Sequence, residues 1–189
     1  MFFKRIVFIV LALCLSLISS FAQNVKEPDF IGEIYLLTSD STFISLQKTA
    51  ATIQAKSNGL SMLVPLATQV KSHMVIKGSK AETRIKKDDN PVQLIVRCKN
   101  NDYEATNIIS LLPFEVKKKE RRYLMNKVSI LGGSSVESME GLPFKFEKYG
   151  ESSYKIILEN MEVGEYGIMV SEGDNSPSSF FGFRCFGID

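Results

Sequence analysis

The chain has one histidine, His73, in a run where Val70, Met74 and Ile76 alternate with Lys71, His73, Val75 and Lys77. That rhythm sets the imidazole on the polar face of a strand, between two lysines. An imidazole holds a metal only with further ligands. It acts as a base only beside a nucleophile and an orienting acid. No such partner is spaced around His73, so it reads as a surface histidine. Ser134 and Ser135 follow Gly132-Gly133, a turn able to offer backbone N–H groups to an anion. Neither a Gly-x-Ser-x-Gly elbow nor a phosphate loop surrounds them, so they read as a turn. Asp88, Asp89, Glu137, Glu140 and Asp174 supply loop carboxylates, and two acids across a cleft are what a glycosidase uses. Asp88-Asp89-Asn90 lacks the ligand spacing of a calcium loop and fits a turn. The pattern calls for neither a metal nor a cofactor.

Two other groups carry weight. Lys117, Lys118, Lys119, Arg121 and Arg122 place five positive charges in six positions. Such a run can meet anionic lipid, polysaccharide or another protein. It also fits the exposed end of a strand pair, between Phe114-Glu-Val116 and Tyr123-Leu-Met125, where charge blocks edge pairing. Cys98 and Cys185 can pair in an oxidising compartment. Their bridge would close a loop of roughly 88 residues, worth about 4 to 5 kcal/mol in the chain-entropy model. As free thiols they would serve as small buried hydrophobes. Both readings stay open. Tryptophan is absent, which tells weakly against a carbohydrate platform, since tyrosine also stacks on sugars.

The N-terminus says where such chemistry would operate. Lys4 and Arg5 precede an almost wholly apolar run, Ile6 to Ile18, and Ser20 and Ala22 stand before Gln23. Basic, then apolar, then small residues predict a cleavable signal peptide over 1–22 and one domain over 23–189. The run is short for a bilayer span and no second one follows, so no transmembrane span remains after cleavage. The expected location is the periplasm or the cell surface, or release outside the cell. Cys14 follows Leu13, where lipid attachment wants a small residue. Lys4 and Arg5 leave with the signal, which balances 21 basic against 21 acidic residues. A balanced chain gives no argument for nucleic acid.

The elements that must position these groups read as strands. Val92, Leu94, Val96 and Cys98 alternate with Gln93, Ile95, Arg97 and Lys99. Ala81–Ile85, Tyr154–Leu158 and Tyr166–Val170 repeat the same two-residue period, the mark of a half-buried antiparallel strand. Short turns separate them, among them Gly78-Ser79-Lys80, Lys99 to Asp102 and Glu147 to Ser152. The best helix candidate is a short piece within 104–112. The longest loops are Gly132 to Pro143 and Ser171 to Ser179. Phe180 to Ile188 is apolar on both faces and predicts a central strand that closes the fold. The fold class is therefore all-β, an antiparallel sandwich of immunoglobulin-like or related Greek-key topology behind an N-terminal signal helix.

The C-terminal third carries the most specific local pattern. Gly164 suits a corner, and Tyr166 can bury its ring and return its hydroxyl to that corner. Gly164-Glu165-Tyr166 followed by Phe186-Gly187-Ile188-Asp189 resembles small exported bacterial β-sandwich proteins. The Gly-x-Tyr corner is similar to that of immunoglobulin-like and transthyretin-like modules. The resemblance implies a fold and brings no activity or functional residue with it. The expected function is a non-catalytic exported domain that binds another protein or an envelope component. The alternatives are an extracytoplasmic hydrolase with a carboxylate site on the loops, and a structural subunit that exchanges its last strand.

Overall fold

The computed structural model describes residues 26–38, 41–57, 69–89, 91–129, 141–171 and 180–189. Residues 1–22, expected to be a signal peptide, Cys14 within them, residues 132–135, expected to be a turn, and the acids Glu137, Glu140 and Asp174 lie outside the described residues.

The chain is all-β. Its elements are β1 (Ile34–Leu37), β2 (Phe43–Ser45), β3 (Lys48–Thr49), β4 (Ala51–Ser57), β5 (Gln69–Lys77), β6 (Thr83–Ile85) and β7 (Val92–Arg97), then α1 (Ala105–Ile108). They continue with β8 (Ile109–Lys117), β9 (Glu120–Ser129), β10 (Lys145–Tyr149), β11 (Ser153–Leu158), β12 (Gly164–Ser171) and β13 (Phe180–Ile188). One antiparallel sheet runs β10-β11-β7-β1-β2. The second runs β3-β13-β12-β8-β9-β5-β4, with β6 added parallel to β13. β3 and β4 occupy opposite edges of that sheet, yet Ala50 alone separates them in the chain. The sheet therefore has to bend back on itself, and it forms a curled half-barrel.

Two apolar cores follow from this shape. One joins both sheets through Ile34, Leu36, Leu94, Val96, Tyr154 and Ile156 on one side and Leu111, Tyr166, Ile168, Val170, Phe186 and Ile188 on the other. The other lies inside the curl and is built from Met74, Ile76, Ala81, Leu112, Phe114, Met169, Phe183 and Cys185. β8, β12 and β13 contribute to both, so these strands are buried on two faces. That is why β12 and the last run are nearly continuous apolar stretches. Each large side chain buried this way stabilises the fold by roughly 1.5–3 kcal/mol. β13 lies inside its sheet, paired to β12 on one flank and to β3 and β6 on the other.

Two local expectations shift. The helix within 104–112 shrinks to the single turn α1, and the chain turns extended at Ile109, whose branched Cβ suits a strand. The expected turn Glu147 to Ser152 is shorter, because Glu147 and Lys148 pair with β11 and leave Gly150 at the corner with φ +62°. A Cβ at Gly150 would lie 2.1 Å from Glu27 Oε1. That carboxylate accepts the Glu151 N–H at 2.7 Å, the Ser152 N–H at 3.2 Å and the Ser153 hydroxyl, and pairs with Arg97 at 2.9 Å. One side chain thus ties the segment before β1 to the turn before β11.

Candidate functional site

Among the described residues, the two buried charged side chains, Glu165 and Arg121, lie together in the half-barrel. β12 alternates Tyr166, Ile168 and Val170 toward the core between the sheets with Glu165 and Met169 toward the curl. A carboxylate in that position needs partners. Glu165, 5% exposed, accepts the Ala81 N–H at 2.7 Å and pairs with the Arg84 guanidinium. The register explains the reach, since Glu165 lies opposite Gly187 on β13, and Gly187 lies opposite Arg84 on β6. Arg84 crosses the strand over a residue with no side chain, and a Cβ at Gly187 would lie 1.6 Å from Arg84 Nη1. Arg84 also grips Asp189 with two nitrogens. Hydrogen bonding to Asp189 raises the Arg84 guanidinium further above its ordinary range, and Arg84 in turn holds the Asp189 carboxyl below its own.

Arg121 completes the cluster. It stands on β9 opposite Ile76 and Val116 and is 4% exposed. Its Nε donates to the Gly78 carbonyl at 3.1 Å. The Gly78 turn, at φ +89°, is itself held by its N–H to the Lys119 carbonyl at 2.9 Å. Arg121 Nη1 is buried with no hydrogen-bond partner and lies 3.8 Å from Glu165 Oε2. Cys185 is close by. Burial pushes its thiol up, while the Arg121 charge and hydrogen bonding from Thr49 and Arg121 pull against that rise. Around these groups opens a groove of about 580 Å³, lined by Lys48, Thr49, Lys77, Lys80, Glu82, Arg121 and Cys185 among others. Such an arrangement can hold an anionic group.

The five-charge run is divided by the strand period. Arg121 turns into the curl. Arg122 pairs with Glu120 at 2.6 Å on the other face. Lys117, Lys118 and Lys119 stay exposed at the hairpin tip, where Lys118 takes φ +59°. The tip and the groove are neighbours through the Gly78–Lys119 hydrogen bond. His73 is half-buried on β5, opposite Gln54 and Leu124, and lines an open depression with Glu115, Arg122 and Tyr123. Asp88 and Asp89 border a different hollow, of about 540 Å³, which also touches Arg84.

Cys98 and Cys185 are both free and buried. Cys98 belongs to the core between the sheets and Cys185 to the core inside the curl, so the structure does not bring them together. Burial pushes the Cys98 thiol up to about 12. At the corner, the Tyr166 hydroxyl donates to the Glu162 carbonyl at 2.9 Å, and its ring stacks on Phe186. Gly164 lies against the edge of that ring. Sequence reasoning missed the Glu165–Arg84–Asp189 network. Its one signal was a glutamate alternating within an otherwise apolar strand. Among the described residues, no helix is long and apolar enough to cross a membrane. No protein-family model, no curated protein and no solved structure matches the chain.

Proposed function

We propose that the chain is an exported, non-catalytic binding domain of sandwich type whose basic end meets another protein or an envelope component carrying negative charge. The observation that carries this reading is the contiguity of the Lys117–Lys118–Lys119 tip with the groove lined by Lys48, Lys77, Lys80 and Arg121. The chain as a whole is balanced once the N-terminal segment is removed, so this positive surface is local rather than a by-product of net charge. Val116, 49% exposed, adds an apolar contact beside the tip. Glu165 and Asp189, which border the groove's Arg121 and Lys80, are both engaged by Arg84, leaving Glu82 as the one acid in the lining, an arrangement that favours binding over acid–base chemistry carried by a pair of acids. Export is supported by the order of residues 1–22, and goes with a domain in the periplasm, at the cell surface or released outside the cell.

The test uses purified residues 23–189 mixed with the envelope fraction of the producing cells. Association should fall at least fivefold when Lys117, Lys118 and Lys119 are all changed to Glu. It should fall similarly in 0.5 M salt, because exposed charges are screened there. Equal sedimentation of the wild type and the triple variant at both salt levels would remove the reading.

A further inference from the structure

We propose that Arg121 anchors an oxyanion pocket in this groove, one that takes the carboxylate or phosphate group of a small ligand or chain segment. The proposal rests on the preceding reading for the place of contact and adds the chemistry of what is held there. A guanidinium carries five N–H donors, and a buried donor left unmet costs about 1–3 kcal/mol, more when charged. Arg121 Nε is satisfied by Gly78 and the guanidinium also hydrogen-bonds the Cys185 sulfur, but Nη1, buried at the inner side of the groove, is unmet. Glu165 does not fill the gap. Its oxygens already serve the Ala81 N–H and Arg84, and at 3.8 Å it is beyond hydrogen-bond reach of Nη1.

The surroundings select an anion. The groove is lined by Lys48, Lys77, Lys80 and Arg121 against the single carboxylate of Glu82. Lys80 is partly spoken for by Asp189 at 3.8 Å, which leaves Lys48 and Lys77 as the rim cations. Thr49 stands in the same lining, where it hydrogen-bonds the Cys185 sulfur. A planar guanidinium fork recognises two oxygens of a carboxylate or phosphate better than an ammonium does. The volume of about 580 Å³ lies in the range of small-molecule sites, so the anionic group would arrive on a larger body.

The experiment follows the arginine side-chain N–H signals of purified residues 23–189 by NMR. Inorganic phosphate and succinate are titrated separately, with sodium chloride at matched ionic strength as the control. The Arg121 signals should move saturably with at least one of the two anions and stay still with chloride. Movement with phosphate alone assigns a phosphate-bearing ligand, and movement with succinate alone assigns a carboxylate. Arg121→Lys should weaken the binding at least tenfold. Lys48→Gln with Lys77→Gln, which alters only the rim, should weaken it at least threefold with unchanged thermal unfolding. Signals that do not move, that drift without saturating, or that keep the same affinity in the rim variant would overturn the proposal, whether or not Arg121→Lys folds. Saturable binding at Arg121 without envelope association would remove the envelope reading and leave the pocket. Envelope association with silent Arg121 signals would do the reverse.

Discussion

Glu27 holds more of this fold than its position in an extended segment suggests. Burial alone would raise its carboxyl. Hydrogen bonds from Ser153, Glu151 and Ser152, with the Arg97 charge, outweigh that and hold it below its ordinary 4.5. A carboxyl whose folded value is depressed contributes stability that is complete above its unfolded value. That contribution is lost as the pH falls through the folded one. Acidification should therefore begin to weaken the hold of the Gly150 turn on the 26–33 segment below about pH 4.5, and release it as the pH passes the lower folded value. Glu27→Gln keeps the size but offers one acceptor oxygen where two are used, and places an amide NH₂ among donors. It should cost about 1–3 kcal/mol at neutral pH and flatten the acid limb of stability between pH 5 and 3. Thermal unfolding of both proteins across that range checks it, and an unchanged acid limb would count against the tether. Sequence alternation said nothing of Glu27, because its partners, two backbone N–H groups, the Ser153 hydroxyl and Arg97, lie 70 or more residues away.

At the scale of elements, the line Arg84–Gly187–Glu165 across β6, β13 and β12 depends on one missing side chain. Gly187→Ala should drive the Arg84 guanidinium off Glu165 and leave a buried carboxylate short of a partner. Breaking a buried pair costs about 3–5 kcal/mol. At this chain length each kcal/mol lowers Tm by roughly 2–4 °C. Arg84→Met should cost a similar amount. The two together should cost little more than either alone, because they remove the same contact. Fully additive losses in thermal unfolding would show that Gly187 serves some other purpose. Strand existence was legible wherever one face is polar. Val92–Cys98 alternates cleanly, and its inward residues Val92, Leu94, Val96 and Cys98 are all core. Strands with no such contrast were harder to read. β4 sets only Ala51, Ile53 and Ala55 against its polar positions, a weak stripe on which Ile53 is 69% exposed, and β10 is mostly charged. The curl itself was not legible, since it depends on Ala50 joining two sheet edges, a pairing between distant strands with no local signature. The basic run was visible, but its division into Arg121 inward and Arg122 outward required knowing the phase of β9. That phase is complicated by the irregular register between Ser72 and His73 of β5 and Asn126 and Leu124 of β9.

For the whole molecule, the question is whether two cores behave as one. β8, β12 and β13 form the wall between them, so opening the curl alone would strip Leu112, Phe114, Met169 and Phe183 of their cover while the outer core stayed closed. Exposing four such side chains costs roughly 6–12 kcal/mol, which approaches the entire stability of a typical domain, about 5–15 kcal/mol. An intermediate with only the curl opened would then be sparsely populated, and the transition should be cooperative. The two thiols report on the two cores separately, Cys98 between the sheets and Cys185 within the curl. Both are buried with raised thiol values, so in the native state neither should react with a thiol reagent at pH 8. Cys98→Ala and Cys185→Ala each leave one reporter among the described residues. In a urea titration, each remaining thiol should become reactive at the same midpoint at which that variant loses its circular dichroism. Labelling of Cys185 at distinctly lower urea than the loss of sheet signal would mean that the half-barrel opens independently. The groove at its mouth would then sit on a separately yielding part of the fold.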